Sequence, residues 1–143
     1  MDVYDRLGVR KRINAAGLPT RLGGSLMPPE VLQAMTEAAQ AFVDIAELQA
    51  RASAVIAECT GAEAGLVTSG AAAALTLGAA ACLTGLDVAR MERLPDTQGM
   101  ANEVIMCRTH RTAYDHAIRA AGARIRDVGF NDRATGAGVR GIE

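Results

Sequence analysis

Residues 61–75 have the sequence GAEAGLVTSGAAAAL, which predicts a short buried strand that turns directly into a helix. The pair Leu66–Val67 supplies apolar strand residues, and Thr68–Ser69 are residue types that favour the start of a helix. Gly70 allows the backbone to bring unpaired N–H groups close to an anion at the positive end of that helix. The stretch therefore predicts a cradle for a single phosphate.

The same stretch also has an interpretation that involves no ligand. Proteins of the α/β class contain several strand-to-helix turns made of small residues, and most of these turns bind nothing. The sequence matches neither G-x-G-x-x-G nor G-x-x-x-x-G-K-[ST], so a dinucleotide site and a P-loop are not supported. A single-phosphate cradle and an ordinary turn remain as the two alternatives.

Composition limits the class of protein. With 143 residues, of which 50% are hydrophobic, the chain is long enough for one domain with a real core. The net charge of -1 lacks the basic excess of a nucleic-acid binder, which argues against a nucleic-acid partner. Because no apolar run has the length of a signal-peptide core or a membrane span, we expect a cytoplasmic protein without membrane association.

The cysteines and the single lysine limit the chemistry that the chain can perform. Cys59, Cys82 and Cys107 are widely spaced among apolar residues, which predicts reduced, buried thiols and neither disulfides nor a metal site. Lys11 is the only lysine and is flanked by arginines, so it is expected in an exposed basic segment. Abundant alanine and glycine with few aromatic residues predict a tight core lined by alanine.

Glycines and prolines divide residues 1–28 into short pieces, which predicts an irregular arm ahead of a large domain over residues 29–143. A short helical turn and a loop are expected between Leu86 and Asn102. The predicted helices are one of about three turns from Pro29, and the segments Ile45–Cys59, Gly70 to about Leu83, and Tyr114–Ala121. The predicted strands are Gly65–Thr68, Glu103–Cys107, whose apolar sequence predicts a buried strand, and Ala123–Val128.

Strands that alternate with helices predict a parallel sheet with right-handed crossovers. Apolar residues surround the helix from Gly70 on nearly all sides, so it is expected to be largely buried. The tail from Asn131 to Glu143 has no apolar pattern that would close a sheet. We therefore expect an incomplete sheet with an uncovered edge, which should self-associate unless a partner covers it.

Four motifs together resemble the selenocysteine synthase-like family, which includes L-seryl-tRNA(Sec) selenium transferase and D-glucosaminate-6-phosphate ammonia-lyase. The resemblance extends from about Ile13 to Gly129. It is closer to the ammonia-lyase branch, because Gly-Gly-Ser follows Leu22 where the selenium transferases have an Asn-Leu-Gly-Arg pattern. The motifs are Ile13–Gly17, Leu22–Ser25, Thr60–Ala64 and Thr68–Ala73, and the segments Glu103–Ile105, His110–Arg111 and Tyr114–Ile118 also look like that branch.

Members of this family are pyridoxal 5'-phosphate (PLP) enzymes. The resemblance implies an α/β fold: an incomplete three-layer α/β/α large domain of the PLP-dependent transferase (aspartate aminotransferase) fold, with a mostly parallel sheet. It implies that Ser69, Gly70 and Ala71 hold the cofactor phosphate. After the next strand, His110 lies where family members place a residue over the pyridine ring, and an imidazole can also transfer protons near neutral pH. Alternatively, His110 is a loop residue that bonds the backbone. His116 is a second candidate for the site, and its alternative role is a helix residue that faces solvent or a neighbour.

Four polar residues are candidates for binding the substrate. Arg21 and Arg111 could pair with a carboxylate or phosphate, or they could be plain surface charges. Asn14 and Ser25 could reach an active site, either their own or that of a partner subunit, or they could form structural turns.

The family's chemistry needs a lysine amine that holds the cofactor as a Schiff base and an acidic partner for the pyridinium nitrogen. Family members carry both in the later half of their chains, and Lys11 lies outside any family lysine motif. We therefore assign no catalytic residue. The resemblance implies the N-terminal part of a PLP-dependent lyase or transferase that is inactive alone and works as a homo-oligomer or with a complementing C-terminal half.

The complete reaction expected from the ammonia-lyase branch is α-proton abstraction and β-elimination on an amino-acid-like substrate. A selenium transferase-like reaction is one alternative. A non-catalytic half-domain that acts as an interaction subunit is another, and an unrelated α/β phosphate-binding module is a third.

Overall fold

The computed structural model describes residues 1–129, and the chain divides into two units, Met1–Asp44 and Ile45–Glu143. This division falls after residue 44, whereas the predicted arm ends at residue 28. The predicted tail from Asn131 onward lies outside the described residues.

The first unit begins with a helical turn, so the predicted irregular arm is wrong at residues 3–6. Helix α1 spans Val3–Arg6, and the side chains of Asp2 and Asp5 each accept a hydrogen bond from the backbone N–H of the other, at 2.9 and 3.0 Å. Such a capping box satisfies donors that a helix start leaves open, so even one turn is stable. The exposed ammonium of Lys11 lies 2.5 Å from Asp2 Oδ2, and this contact lowers the pKa of the Asp2 carboxyl.

The remaining elements of the first unit are a single 3-10 turn, Thr20–Leu22, and helix α2, Pro29–Ala38. The helix predicted from Pro29 is thereby confirmed. Proline fits the first helical position because its backbone torsion is preset and its missing N–H would have no partner inside the helix.

Helices α3 (Ile45–Thr60), α4 (Ala71–Thr84) and α6 (Asp115–Ala120) match the predicted ones to within one residue at each end. Helix α5 (Val88–Arg93) is the short helical turn expected between Leu86 and Asn102. Gly61 and Gly85 have positive φ values of 74° and 56°, which end α3 and α4 at conformations that glycine adopts without strain. The Asp87 carboxylate accepts from the Arg90 N–H at 3.2 Å and begins α5.

Two strands, β1 (Glu103–Cys107) and β2 (Arg124–Val128), pair in parallel with α6 between them in sequence. Glu103 lies opposite Arg124 and Cys107 lies opposite Val128. This pair confirms the predicted parallel arrangement. The strand predicted at Gly65–Thr68 is wrong within residues 1–129, because this extended segment bonds to side chains of α3 and not to a neighbouring strand.

A small core joins α4, α6 and the sheet, and small side chains line it as predicted. Its buried members are Leu83, Ala121 and Ala123, with Ala79, Ala80, Leu94, Val104 and Ile118 packed against them. Most of α4 is nevertheless exposed, including Leu75 at 40% and Leu77 at 49%, so the prediction of a largely buried helix is wrong for residues 1–129. The neighbours α5 and α6 have 6 residues each, too few to cover a 14-residue helix.

Exposure also differs from expectation elsewhere. Alternate residues of β1 are exposed and half-buried, so it is not the fully buried strand that its apolar sequence predicts. The three cysteines are free thiols, but all three are exposed, and the prediction of buried thiols is therefore wrong. Between residues 1 and 129, no helix is both long enough and apolar enough to span a membrane.

Candidate functional site

An extended segment, Gly65–Val67, leads into the predicted phosphate cradle and is attached to α3. The Gln49 side-chain amide donates to the Val67 carbonyl at 2.7 Å and accepts from the Val67 N–H at 3.2 Å, in the manner of a neighbouring strand. Ser53, one turn further along the same helix face, accepts from the Gly65 N–H at 3.0 Å. A Cβ on Gly65 would lie 2.5 Å from Ile56 Cγ2, so glycine is required for this close approach.

The start of α4 follows at Gly70, which has φ 143° and ψ 174°. The Thr68 hydroxyl donates to the Gly70 carbonyl at 3.0 Å and lies 3.4 Å from the Gly70 N–H. No side chain caps the helix, and the N–H groups of residues 71–73 have no acceptor within residues 1–129. The first turn of α4 therefore presents unpaired donors at the positive end of a 14-residue helix.

An open groove of about 460 Å³ lies beside these donors, between α4 and α6. The Thr76 hydroxyl is 3.0 Å from both the Ala117 and the Ala72 carbonyls, and it ties the two helices together there. Residues that line the groove are mostly alanine, with two larger polar side chains, Tyr114 and His116: the full set is Ala72, Ala73, Thr76, Ala113, Tyr114, His116 and Ala117.

His116 is an exposed residue of α6 that faces this groove. Its Nδ1 lies 3.3 Å from Nη2 of Arg119. Because a guanidinium only donates, Nδ1 accepts, and the ring proton of the neutral imidazole is then on Nε2. The structure adds Tyr114 as a groove residue, and it places His116, which the sequence offers as a second candidate after His110, on the same groove.

The turn after β1 carries two predicted site residues, His110 and Arg111. His110 ends a 3-10 turn, Arg108–His110; it is exposed and is not among the residues that line the groove. The guanidinium of Arg111 binds two carboxylates, donating from Nε to Asp115 and from Nη1 to Asp127 at 3.3 Å. The Nε–H and one Nη1–H of Arg111 are thus used within the protein, and its other N–H groups make no such contact within residues 1–129.

These contacts shift the pKa values of the groups involved. The hydrogen bond from Arg111 lowers the pKa of Asp115, and that from Arg108 lowers the pKa of Asp127. The bond to Asp115 in turn raises the pKa of Arg111. Because the two carboxyl pKa values are lower in the folded chain, their contribution to stability is present above the ordinary carboxyl pKa and is lost as pH falls through the lowered values.

The other three candidate residues lie in the first unit. The Asn14 side chain accepts from the Ala16 N–H at 3.0 Å and donates to the Gly17 carbonyl at 2.7 Å, which is the structural turn considered as its alternative role. Arg21 is exposed in the 3-10 turn, and Ser25 is exposed in a bend after it.

Together these features define an α/β protein with a parallel strand pair and an open helix start beside a groove. The chain is 44% identical over 138 residues to the D-glucosaminate-6-phosphate ammonia lyase of Salmonella typhimurium (strain 14028s / SGSC 2262), an alignment that covers 94% of this chain and 37% of the lyase. The solved structure of a D-glucosaminate-6-phosphate ammonia-lyase superposes with a TM-score of 0.88 at 43% identity, over 92% of this chain and 37% of that one.

A second relative, the 5'-C-glycyluridine monooxygenase-decarboxylase of a Streptomyces species, is 36% identical over 131 residues, which cover 88% of this chain and 33% of that protein. No protein-family model matches the chain. The predicted relationship is confirmed: the chain is a homologue of D-glucosaminate-6-phosphate ammonia lyase over nearly its whole length, and it spans 37% of that relative's length.

Proposed function

We propose that this chain supplies the cofactor-phosphate-binding part of a PLP-dependent lyase of the aspartate aminotransferase fold. The lyase would act on an amino-acid-like substrate by α-proton abstraction and β-elimination. The observation that carries the proposal is the set of unpaired N–H groups at residues 71–73, beside a groove, in a chain 44% identical to an ammonia lyase.

The residues present fit PLP, which consists of a phosphate ester and a flat pyridine ring. Ser69, Gly70 and Ala71 would hold the phosphate, since the open N–H donors begin at Ala71 and a helix start with open donors favours an anion. Space is available at this point, because a Cβ on Gly70 would meet no atom within 4 Å. The groove volume of about 460 Å³ also lies within the range of small-molecule sites.

When bound, the cofactor supplies an electron sink for the carbanion left by α-proton removal. The chain's own residues would bind and orient the reactants. His110 would lie against the pyridine ring, and Asn14, Arg21 and Ser25 would contact the substrate. Arg111 would take part through the guanidinium N–H groups that Asp115 and Asp127 leave free.

The reactive lysine and the acidic partner of the pyridine nitrogen are proposed to come from another polypeptide segment. Lys11, the single lysine of the chain, is paired with Asp2 and receives no catalytic role. The proposed partners are therefore an amino-acid-like small molecule and either a second copy of the chain or a complementing polypeptide.

Two alternatives have less support. The lower identity of the Streptomyces relative, 36% against 44%, favours elimination over oxidative decarboxylation. For a non-catalytic interaction subunit, the supporting observation is that the chain has a single lysine. The chain can be coexpressed with the rest of the Salmonella lyase. Release of ammonia by the resulting complex would support the proposed lyase, and a folded complex that releases no ammonia would support the interaction subunit.

The cradle can be tested by dialysis of the chain against PLP, with bound cofactor measured by absorbance. Gly70→Asp should weaken binding by at least about tenfold, because the new carboxylate repels the phosphate at short range. Gly70→Asn is the matched control: it has nearly the same size and the same strain at φ 143° but no charge.

Equal affinities of the Asp and Asn variants for PLP would contradict the assignment. Pyridoxal, which has no phosphate, provides the second comparison. Pyridoxal should bind more weakly than PLP, and its affinity should be the same for Gly70→Asp and Gly70→Asn. If the aspartate weakens pyridoxal binding as much as it weakens PLP binding, Gly70 is not a phosphate ligand.

A further inference from the structure

A chain of four alternating charges connects β2 to the turn that follows β1. Asp127, on β2, accepts from Nε of Arg108 at 2.7 Å and from Nη1 of Arg111 at 3.3 Å. Arg111 also donates from Nε to Asp115, and Asp115 accepts a second hydrogen bond from the Thr112 N–H at 3.2 Å. Two guanidinium groups are thus balanced by two carboxylates.

The position of Asp127 explains why one carboxylate reaches both arginines. In the parallel register it lies opposite Met106, near the end of β1 at which the turn begins. Arg108 and Arg111 occupy the two sides of His110 in sequence. The two carboxylate oxygens of Asp127 are each used by a different arginine, so the two contacts together fix the turn at two points.

The other end of the charge chain is the most enclosed. Asp115 is 5% exposed, and its second oxygen bonds to the backbone at Thr112, so Arg111 is anchored to α6 as well as to β2. A guanidinium that donates to carboxylates on both sides has a defined orientation. Residues 108–114 are consequently held between β2 and α6.

We propose that Asp127 is a positioning residue for the ligand site: through Arg108 and Arg111 it holds residues 108–114, and with them His110, in one arrangement. The inference rests on the proposed function, which gives His110 its place against the cofactor ring. In this role Asp127 acts through the two arginines to which it is bonded.

The same two strands offer a matched control. Glu103 accepts from Nε of Arg126 at 2.7 Å, and this exposed pair also links β1 to β2. The Glu103–Arg126 pair has no bond to residues 108–114. Glu103→Gln therefore removes an ion pair between the strands that has no contact with residues 108–114. Asp127→Asn removes the ion pairs with Arg108 and Arg111, which hold those residues.

The first measurement is backbone hydrogen exchange of the full chain without ligand. Asp127→Asn should accelerate exchange at residues 108–114 by at least about tenfold and leave α4 unchanged, because only the turn loses its anchors. Asp127→Glu should restore much of the protection, and Glu103→Gln should behave like the parent chain. Unchanged exchange at 108–114, or equal acceleration everywhere, would overturn the inference.

The second measurement is PLP affinity by dialysis in the same four proteins. Asp127→Asn should weaken binding by several-fold while Glu103→Gln does not. Faster local exchange with unchanged affinity would overturn the inference, because the turn would then be held for another purpose. If the parent chain binds no PLP, the proposed function fails, and the exchange pattern alone decides whether Asp127 holds the turn.

Discussion

Single residues fix the contact between the loop after α5 and the turn before β2. The Thr97 hydroxyl is buried and donates to the Gly122 carbonyl at 2.8 Å, and Asn102 donates to the Thr97 oxygen at 2.8 Å. Gly122 itself has φ 95°, and a Cβ there would lie 2.3 Å from the Pro95 carbonyl oxygen. A backbone oxygen cannot move aside as a flexible side chain can, so only glycine fits.

Gly122→Ala should reduce the free energy of unfolding by roughly 2 to 4 kcal/mol, combining the cost of positive φ with that of the clash. Gly78→Ala is the control, because Gly78 lies inside α4 and a Cβ there would meet no atom within 4 Å. It should stabilise the chain by about 0.5 to 1 kcal/mol through helix propensity. Urea unfolding measures both, and effects of the same sign would contradict the packing described.

At the scale of elements, α3 determines the path of the chain into the candidate cradle. Its residues Gln49, Ser53 and Ile56 share one face and hold the extended segment by two side-chain amide bonds, one hydroxyl bond and a close contact with Gly65. The position of the segment that leads into α4 therefore depends on two polar side chains of α3, although the sequence pattern of α3 is dominated by its apolar residues.

Gln49→Ala should remove both bonds to Val67 and destabilise the second unit by about 1 kcal/mol, since hydrogen bonds near solvent each contribute little net free energy. Exchange of the Val67 N–H should accelerate most. Gln33→Ala in α2 removes only a side-chain bond to Glu37 at 2.9 Å and serves as the control. An unchanged exchange rate at Val67 would show that Gln49 does not hold the segment.

At the scale of the whole molecule, large apolar side chains remain in contact with solvent. In the second unit, Leu66 is 61% exposed, Val67 is 51% exposed and Ile105 is 74% exposed. Transfer of such side chains out of water is favourable by about 25 cal/mol per Å² of apolar surface, which provides a driving force for association.

We expect the isolated chain to self-associate at micromolar concentration. Sedimentation velocity should show species larger than the 14.9 kDa monomer, with the larger species increasing with concentration. Ile105→Lys should shift the distribution toward the monomer, since a charge on the open strand opposes pairing. A compact monomer at all concentrations would contradict this expectation.

Much of the local structure could be predicted from the sequence because its signals are local. Pro29 marks the start of α2, and the glycines at 61, 85 and 122 lie where helices end. The apolar run at β1 and the partial alternation of apolar residues with arginines at β2 indicated the strand pair. Burial could not be predicted in this way: α4 is apolar on all sides, but how far it is covered depends on which elements lie against it.

The sequence also predicted one part of the candidate site, and the other part depended on the folded structure. The TSGAAA sequence was sufficient to predict a helix start with open N–H groups, because the first N–H groups of a helix have no acceptor inside the helix. The relationship to the ammonia lyases also followed from sequence, through motifs that need no coordinates. The folded chain was needed to find that Arg111 faces two carboxylates and that His116 lies on the groove, since these contacts join residues whose proximity depends on how α4, α6 and β2 pack.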